Sequence, residues 1–544
     1  MRSLRSSLVA VAVFVIAALA LVPDLGGQYV WSKDEARDGL VARDMVETGN
    51  WLIPHVGGRV YPYKPPLFHW LVALVSRGGV TEWSLRLPSV LAAAGTVALT
   101  YAMGARLGSP TTGLVAAAVL ASSATFVEWA RTGRLEMLLV LWLTLGLWSG
   151  MRWLDEGQRG HVVLLGLALG LGCLTKGPIG LAPLGILIVA RALLGRWSPR
   201  ALVDLGLALA LPVALPVAWL GLAAVAQAGV DDYLKAVIAN FGDEIRALRD
   251  QHFLFAGEAI GMGFLPWTIV LPGASLVLVR RWRTSWRVLL VPLLCIALVL
   301  VVFTVVMSPR AVYFLPIYPA LALVVAWAWA SCSAAERRWM MYPLGLVVIA
   351  IVVAGLGLTI RPLAIESASR LTVLDRELGM MAPLIAGAAG FGAIVLLRHR
   401  RADVVPVVVG IAALLLLVLL LVTVDTRRIN RAYPTREVAA RFAALLSPGD
   451  EVAYVDLKLS TALMFYLPHR GVKLPRIRAI EDLPDRSWRH ALIPHEEMML
   501  LVRKQCGPPP PLREETLFGG RYVLVDLEGV GPQCIKARPR VADR

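Results

Sequence analysis

The sequence predicts a polytopic α-helical membrane protein of about thirteen transmembrane segments, closed by a small extracytoplasmic α/β domain. Composition is the first observation behind this: of 544 residues, 57% are hydrophobic and 17% charged, and the mean hydropathy is +0.67. One soluble core cannot bury that much apolar surface. Second, apolar runs of about 20 residues recur as far as roughly residue 424, where the chain turns polar. Third, the arginines behind the net charge of +16 fall in short clusters between the runs. That placement reads as membrane topology, and nucleic-acid binding is not expected.

The first run, near residues 8–24, follows Arg2 and Arg5. No small-residue cleavage site comes after it, so it reads as a retained helix rather than a signal peptide. Further spans are expected near 84–106, 111–128, 136–153, 162–175, 177–195, 201–226, 258–279, 288–306, 312–331, 340–360, 381–397 and 404–424. Arg106, Arg152/Arg159, Arg191/Arg196/Arg200, Arg280/Arg281/Arg283/Arg287, Arg337/Arg338 and Arg398/Arg400/Arg401 fall in alternate connections, which the positive-inside rule makes cytoplasmic. An odd number of spans starting inside leaves the C-terminus outside. The chain therefore divides into a transmembrane domain, 1–424, whose first outer loop is 25–83 and carries juxtamembrane helices, and an outer domain, 425–544. In the outer domain EVAYVDL (451–457) and RYVLVDL (521–527) read as strands, and 435–446 and the segment around 493–504 as helices. Cys506 and Cys534 are the two cysteines of that domain, where a disulfide is permitted.

The outer connections carry the chemistry. WSKDEARDGLVAR (31–43) puts Asp34, Glu35 and Arg37 within one helical turn after the first span, and YPYKPPLFHW (61–70) sets Lys64 before a double proline. Carboxylates for acid/base work and cations for a phosphate thus share one membrane face. The same face holds Arg131, Arg134 and Glu136, Thr175-Lys176-Gly177, the loop with Asp243, Glu244, Arg246, Arg249 and His252, and Ser308-Pro309-Arg310. Charges at the hydrocarbon boundary are costly unless paired or facing water, so they mark a site by default. Bland alternatives stand beside this: Lys176 in a short turn either caps helix ends or contacts a ligand, and Asp34-Glu35 is also an ordinary N-terminal acidic pair. His55, His69 and His252 are too scattered for a metal signature. No cofactor is implied, and nothing supports a divalent metal.

In their order and spacing these segments resemble the type C membrane glycosyltransferases, and within them the bacterial lipid A aminoarabinose transferases and their protein O-mannosyltransferase relatives. The resemblance runs through DEAR (34–37), GNWLIPHVGGRVYPYKPPLFHW (49–70), WSLRLPS (83–89), RLEMLL (134–139), LTKGP (174–178), GFLPW (263–267) and YFLPIYPALAL (313–323). It implies a GT-C fold in a bacterial inner membrane with the active site and the C-terminal domain on the periplasmic side. It implies that Asp34 is the principal catalytic carboxylate, with Glu35 and Glu136 as further acidic groups. Arg37 and Lys64, with Lys176 and Arg310, are expected to hold the phosphate of a polyprenyl-phosphate sugar, and Tyr63, His69, Arg134, His252, Tyr313 and Tyr318 to line the substrate cavity. Two positions depart from the family pattern. Glu136 stands where an aspartate is usual, and Tyr63 precedes Lys-Pro where aminoarabinose transferases show glutamate, which leaves the sugar and the acceptor open.

The chemistry has an argument of its own. A site on the outer face cannot draw on cytoplasmic nucleotide sugars, and the sequence has no P-loop or dinucleotide motif to bind one. A lipid-linked sugar phosphate meets the need, its phosphate leaving as an anion stabilised by Lys64 and Arg37 while Asp34 orients or deprotonates the acceptor. The expected partners are a polyprenyl-phosphate sugar, best matched to 4-amino-4-deoxy-L-arabinose, an acceptor such as lipid A, and membrane lipids. The alternatives are protein or glycan O-glycosylation by the same chemistry, or a lipid flippase or transporter. A transporter predicts ionisable residues near mid-membrane, whereas these charges cluster at one face.

Overall fold

The structure is a computed structural model that describes residues 2–56, 59–226, 229–235, 237–238, 254–302, 311–337, 339–340, 343, 405–420, 426–447, 452–455, 457–467, 476–477, 490–494, 511–517 and 520–526. Cys506, Cys534, His252 and Arg310 lie outside these residues. The chain is mostly helical and divides into two compact units: Met1–Leu25, Pro62–Leu71 and Arg86–Val424 form one, and Gly26–Tyr61, Val72–Leu85 and Asp425–Arg544 form the other. The division falls again at residue 424, and two pieces of the first loop group with the C-terminal residues.

In the larger unit, α1 (Arg2–Leu21), α4 (Glu82–Leu107, from Arg86), α5 (Pro110–Ala121), α6 (Ala124–Ala130), α7 (Leu135–Glu156), α8 (Arg159–Lys176), α9 (Ala182–Leu193) and α10 (Pro199–Val225) follow in order. Later come α11 (Leu254–Gly263), α12 (Leu271–Arg280), α13 (Trp282–Val301), α14 (Ile317–Ser331) and α15 (Val405–Leu420). Among the described residues five helical runs are long and apolar enough to cross a membrane: Glu82–Leu107, Leu135–Glu156, Arg159–Leu193, Pro199–Val225 and Trp282–Val301. The pair α5 and α6 adds a sixth if counted as one span, although it bends by 71°. Shorter apolar helices cover Ser6–Leu21, Trp267–Arg280 and Ile317–Ser331.

The run Arg159–Leu193 is a hairpin. Gly177 adopts a positive φ of 72°, and the 3-10 turn Gly177–Leu181 folds Gly180 back against Gly172 and Cys173. Gly146 then faces Pro183 and Gly150 faces Leu187, so α9 runs beside α7 in the same direction, while Gly166 and Gly170 of α8 take Ala208, Leu211 and Leu215 of α10. Small residues let these backbones approach closely, which is the packing expected where lipid removes the hydrophobic drive between helices. The chain therefore reverses at each turn from α7 to α10, as the alternating arginines require.

In the smaller unit, α2 (Lys33–Thr48) starts at Ser32, whose hydroxyl accepts from the Glu35 N–H at 3.2 Å. It ends at Gly49, left-handed at φ 73°. A short hairpin pairs His55–Val56 (β1) with Arg59–Val60 (β2). From the C-terminal residues come α16 (Thr426–Ala432), α17 (Thr435–Ala443), β3 (Val452–Val455), α18 (Leu457–Tyr466), β4 (Arg476–Ile477), β5 (His490–Pro494), β6 (Pro511–Leu517) and β7 (Gly520–Asp526). The strands form one sheet ordered β4-β3-β5-β7-β6, with β3 parallel to β4 and β5, and β7 antiparallel to β5 and β6. Strands at Val452–Val455 and Gly520–Asp526 and a helix at Thr435–Ala443 fall where strands at 451–457 and 521–527 and a helix at 435–446 are expected, except that Leu457 already begins α18. The helix expected around residues 493–504 is corrected at its start, where Ile493 and Pro494 end β5 and pair with Val523 and Tyr522 of β7. Leu40 of α2 shares a core with Val438, Ala439, Phe442, Leu463, Met464 and Leu467, which is why this piece of the first loop belongs with the C-terminal residues.

Candidate active site

The polar groups picked out in the sequence fall into the two units, each with its own cluster. In the smaller unit Asp34 and Arg37 pair across one turn at the start of α2, at 2.9 Å, each about a quarter exposed. Glu35 beside them is buried. The Arg37 guanidinium lies 5.6 Å from the centre of the Tyr61 ring. Burial alone would lower the Arg37 pKa, but Tyr61, Asp38 and Asp34 outweigh it and hold it above its usual value. Burial also raises the Tyr61 phenol well above its ordinary value, so at neutral pH a cation stands against a neutral ring.

The larger unit carries Tyr63, exposed, and Lys64, half-buried, ahead of the helix α3 (Leu67–Val75), on which His69 is fully buried against Phe68. Its second cluster is built on the α7–α8 pair. Glu136 sits in the first turn of α7 at only 4% exposure, and its Oε1 accepts from Arg134 Nη2 at 3.1 Å and Lys176 Nζ at 3.2 Å. Its Oε2 is buried with no hydrogen-bond partner among the described residues. Lys176, at the end of α8, also lies 4.9 Å from the Tyr313 ring centre, and Arg134 lies 5.1 Å from that of Trp129. Ser89 Oγ of α4 bonds the Arg134 carbonyl at 2.9 Å and fixes the start of α7. An acid held between two cations at the edge of apolar helices stays ionised and keeps one oxygen in reserve. The structure thus brings Arg134, Glu136, Lys176 and Tyr313 together. Tyr318 is instead a fully buried packing residue, its hydroxyl donating to the Ala259 carbonyl at 3.2 Å.

Three arginines bind backbone carbonyls, a role that the sequence does not reveal even for Arg131, which it marks only as a boundary charge. Arg131 donates to the Leu21 carbonyl at 2.5 Å and Arg86 to the Leu25 carbonyl at 2.9 Å, together collaring the end of α1. Burial, with Arg86 adding to it and Asp24 opposing, lowers the Arg131 pKa to about 10, which leaves it charged at neutral pH. In the smaller unit Arg43 is buried and donates to the carbonyls of Met464, Phe465 and Leu467, at 2.8, 3.0 and 3.1 Å, closing the end of α18. Among the described residues no group of three His, Cys, Asp or Glu side chains is placed to hold a metal ion.

The family described as dolichyl-phosphate-mannose-protein mannosyltransferase matches residues 63–220, which span Lys64, Glu136 and Lys176. An undecaprenyl phosphate-alpha-4-amino-4-deoxy-L-arabinose arabinosyl transferase from Pectobacterium carotovorum is 28% identical over 373 residues, 64% of this chain and 65% of that protein. The chain is thus similar in sequence both to the mannosyltransferase family and to the aminoarabinosyl transferases. A Pseudomonas aeruginosa protein of the same description is 31% identical over 57% of each chain. The match thus spans just under two thirds of the first of these relatives and less of the second. The crystal structure of ArnT from Cupriavidus metallidurans bound to undecaprenyl phosphate superposes with a TM-score of 0.77, at 19% identity, over 96% of this chain and 99% of that one. At that identity the likeness speaks for the fold, and the fold is the GT-C fold of a multi-pass membrane protein.

Proposed function

We propose that the chain transfers a sugar from a polyprenyl-phosphate donor to an acceptor on the periplasmic side of a bacterial inner membrane. The observation that carries this reading is Glu136, buried at the lip of apolar helices between Arg134 and Lys176 with one oxygen in reserve. Ionic groups in that position are costly and are kept for function. The sequence similarity to aminoarabinosyl transferases supports the donor class and makes 4-amino-4-deoxy-L-arabinose the first sugar to test and lipid A the first acceptor. Tyr63, standing where those enzymes carry glutamate, favours a second reading in which the same chemistry serves another sugar or a protein or glycan acceptor.

In the reaction the bond between the anomeric carbon and the donor phosphate oxygen breaks, and a bond to the acceptor oxygen forms. Lys64, Arg37, Lys176 and Arg310 stabilise the charge that gathers on the departing phosphate. Asp34 orients the acceptor and, where that acceptor is a hydroxyl, takes its proton; a phosphate acceptor is already nucleophilic at neutral pH and needs only positioning. Glu35 and Glu136 hold the surrounding cations. The sheet and helices after residue 425 form a periplasmic α/β domain, and about thirteen spans carry the chain through the membrane.

Two variants of the purified full-length protein test the assignment. Asp34→Asn keeps shape and removes charge, so transfer is expected to fall about 10²–10⁴-fold with polyprenyl-phosphate binding near normal. Lys64→Ala is expected to weaken polyprenyl-phosphate binding about ten- to a hundredfold and to slow transfer as well. Wild-type transfer rates in a folded, membrane-inserted Asp34→Asn preparation would overturn the catalytic assignment.

A further inference from the structure

We propose that the end of the α7–α10 bundle remote from Glu136 binds the phosphate headgroup of an anionic glycerophospholipid between Arg159, Arg196 and Arg200. The 22 residues of α7 separate the two ends by about 30 Å, so this is a different place from the cluster around Glu136. The proposal rests on the membrane reading of the chain and on no part of the proposed reaction.

The charges at this end are unequally satisfied. Arg106 binds Asp155 at 3.1 Å and Glu156 at 3.0 Å, while Arg152 at 3.1 Å and His161 at 3.0 Å also bind Glu156, so that part of the cluster is neutral within itself. Asp204, buried on α10, accepts from the Trp153 indole at 3.0 Å. With Arg191 against the Trp153 ring, six arginines (Arg106, Arg152, Arg159, Arg191, Arg196 and Arg200) face three acids (Asp155, Glu156 and Asp204), an excess of three positive charges. Arg196 donates to the Leu154 carbonyl and Arg200 to the Gly157 carbonyl, each at 3.0 Å, and the ion pairs at this end are long: Asp155 stands 3.9 Å from Arg196, and Asp204 stands 3.8 Å from Arg159. Because Arg196, Arg200 and Arg159 meet around the turn from α7 to α8, they present one concentrated source of N–H donors. Arg159 is 65% exposed and Arg196 51%.

A second observation says what kind of anion fits. Trp197, 46% exposed, adjoins Arg196, and Leu193, Leu202 and Val203 beside it are more than half exposed. An inorganic phosphate has no use for such a border. A glycerophospholipid does: its phosphate meets the guanidinium fork while its acyl chains lie along the apolar side chains, with the tryptophan at the level of the headgroups.

The test uses the purified full-length chain in lipid nanodiscs, with retained lipid read by native mass spectrometry after partial delipidation. Phosphatidylglycerol is expected to be held at least tenfold over phosphatidylcholine, and the preference is expected to fall as salt rises from about 0.05 to 0.5 M. The variant Arg159→Gln/Arg196→Gln/Arg200→Gln is expected to lose the preference, at about fivefold per charge removed, whereas the corresponding triple lysine variant keeps most of it. Equal retention of the two lipids by the wild type, or an undiminished preference in the glutamine variant, overturns the proposal. Displacement of phosphatidylglycerol by millimolar-range inorganic phosphate overturns the lipid assignment in favour of a free anion. Should the glutamine variant not fold, the salt series on the wild type decides, and a salt-insensitive preference counts against the site. Because the readout is lipid retention, a loss of transferase activity elsewhere leaves this result untouched.

Discussion

Glu136 shows how a single carboxylate is made tolerable at the margin of a membrane. Its Oε1 takes both Arg134 and Lys176, and Lys176 is held in turn against the Tyr313 ring. Removing the charge strands two cations in a poorly hydrated place, and breaking a buried pair in this way costs about 3–5 kcal/mol. Glu136→Gln is therefore expected to lower thermal stability clearly and transfer at least about a hundredfold, while Glu136→Asp, which restores the acid usual in the family, is expected to keep transfer within about tenfold of wild type. Transfer assays paired with thermal unfolding of each variant check this; comparable loss in both would show that the length of the Glu136 side chain, and not its charge alone, is needed. Glu136 and Lys176 were legible in the sequence because a charge that borders an apolar run stands out. Arg43 was not, because in a helix already rich in acid and base it looks like part of a solvated face, and its carbonyl partner Phe465 lies 422 residues away.

That distance matters at the scale of elements. Helix α2 is short and polar, and its place in the smaller unit is secured by Leu40 in the apolar core and by Arg43 on the last carbonyls of α18. The segment before it is stitched to the same residues: Tyr29 N–H donates to Asn430 Oδ1 at 2.8 Å, Val30 N–H to the Tyr466 hydroxyl at 2.7 Å, and Trp31 stacks on Tyr433. Arg43→Ala leaves three carbonyls in a dry setting and is expected to cost about 3 kcal/mol, read as a lower melting temperature and earlier proteolysis within residues 425–467. Unchanged melting and proteolysis would show those carbonyls to be solvated. The helices themselves were legible from hydropathy, and the α8–α9 reversal from the LTKGP turn. The strand at Ile493–Pro494 was misread because a short apolar stretch carries no period that separates helix from strand; only its partners on β7 decide.

For the whole molecule, sidedness follows from which polar ends gather together. Glu136 at the start of α7 meets Lys176 at the end of α8, and at the other end of the same helices Arg106, Arg152, Arg196 and Arg200 converge around the α7–α8 turn. The arginine-rich end is the one that the positive-inside rule assigns to the cytoplasm, since translocating several guanidinium groups against the membrane potential is unfavourable. On that assignment the acid and lysine that the proposed reaction uses are expected to face the periplasm, where a lipid-linked donor is required because nucleotide sugars are absent. With the odd number of spans proposed above, the same phase predicts the residues after about Arg428 to lie outside. A C-terminal alkaline phosphatase fusion is expected to be active and a C-terminal green fluorescent fusion dark, with a cytoplasmic reporter inserted after Gly157 showing the opposite pattern. If the C-terminal phosphatase were silent while the Gly157 reporter behaved as expected, the span count beyond α10 would be odd and the smaller unit could not take part in a periplasmic reaction. If both reporters were reversed, the Glu136 end would face the cytoplasm, and the argument for a lipid-linked donor would lose its premise.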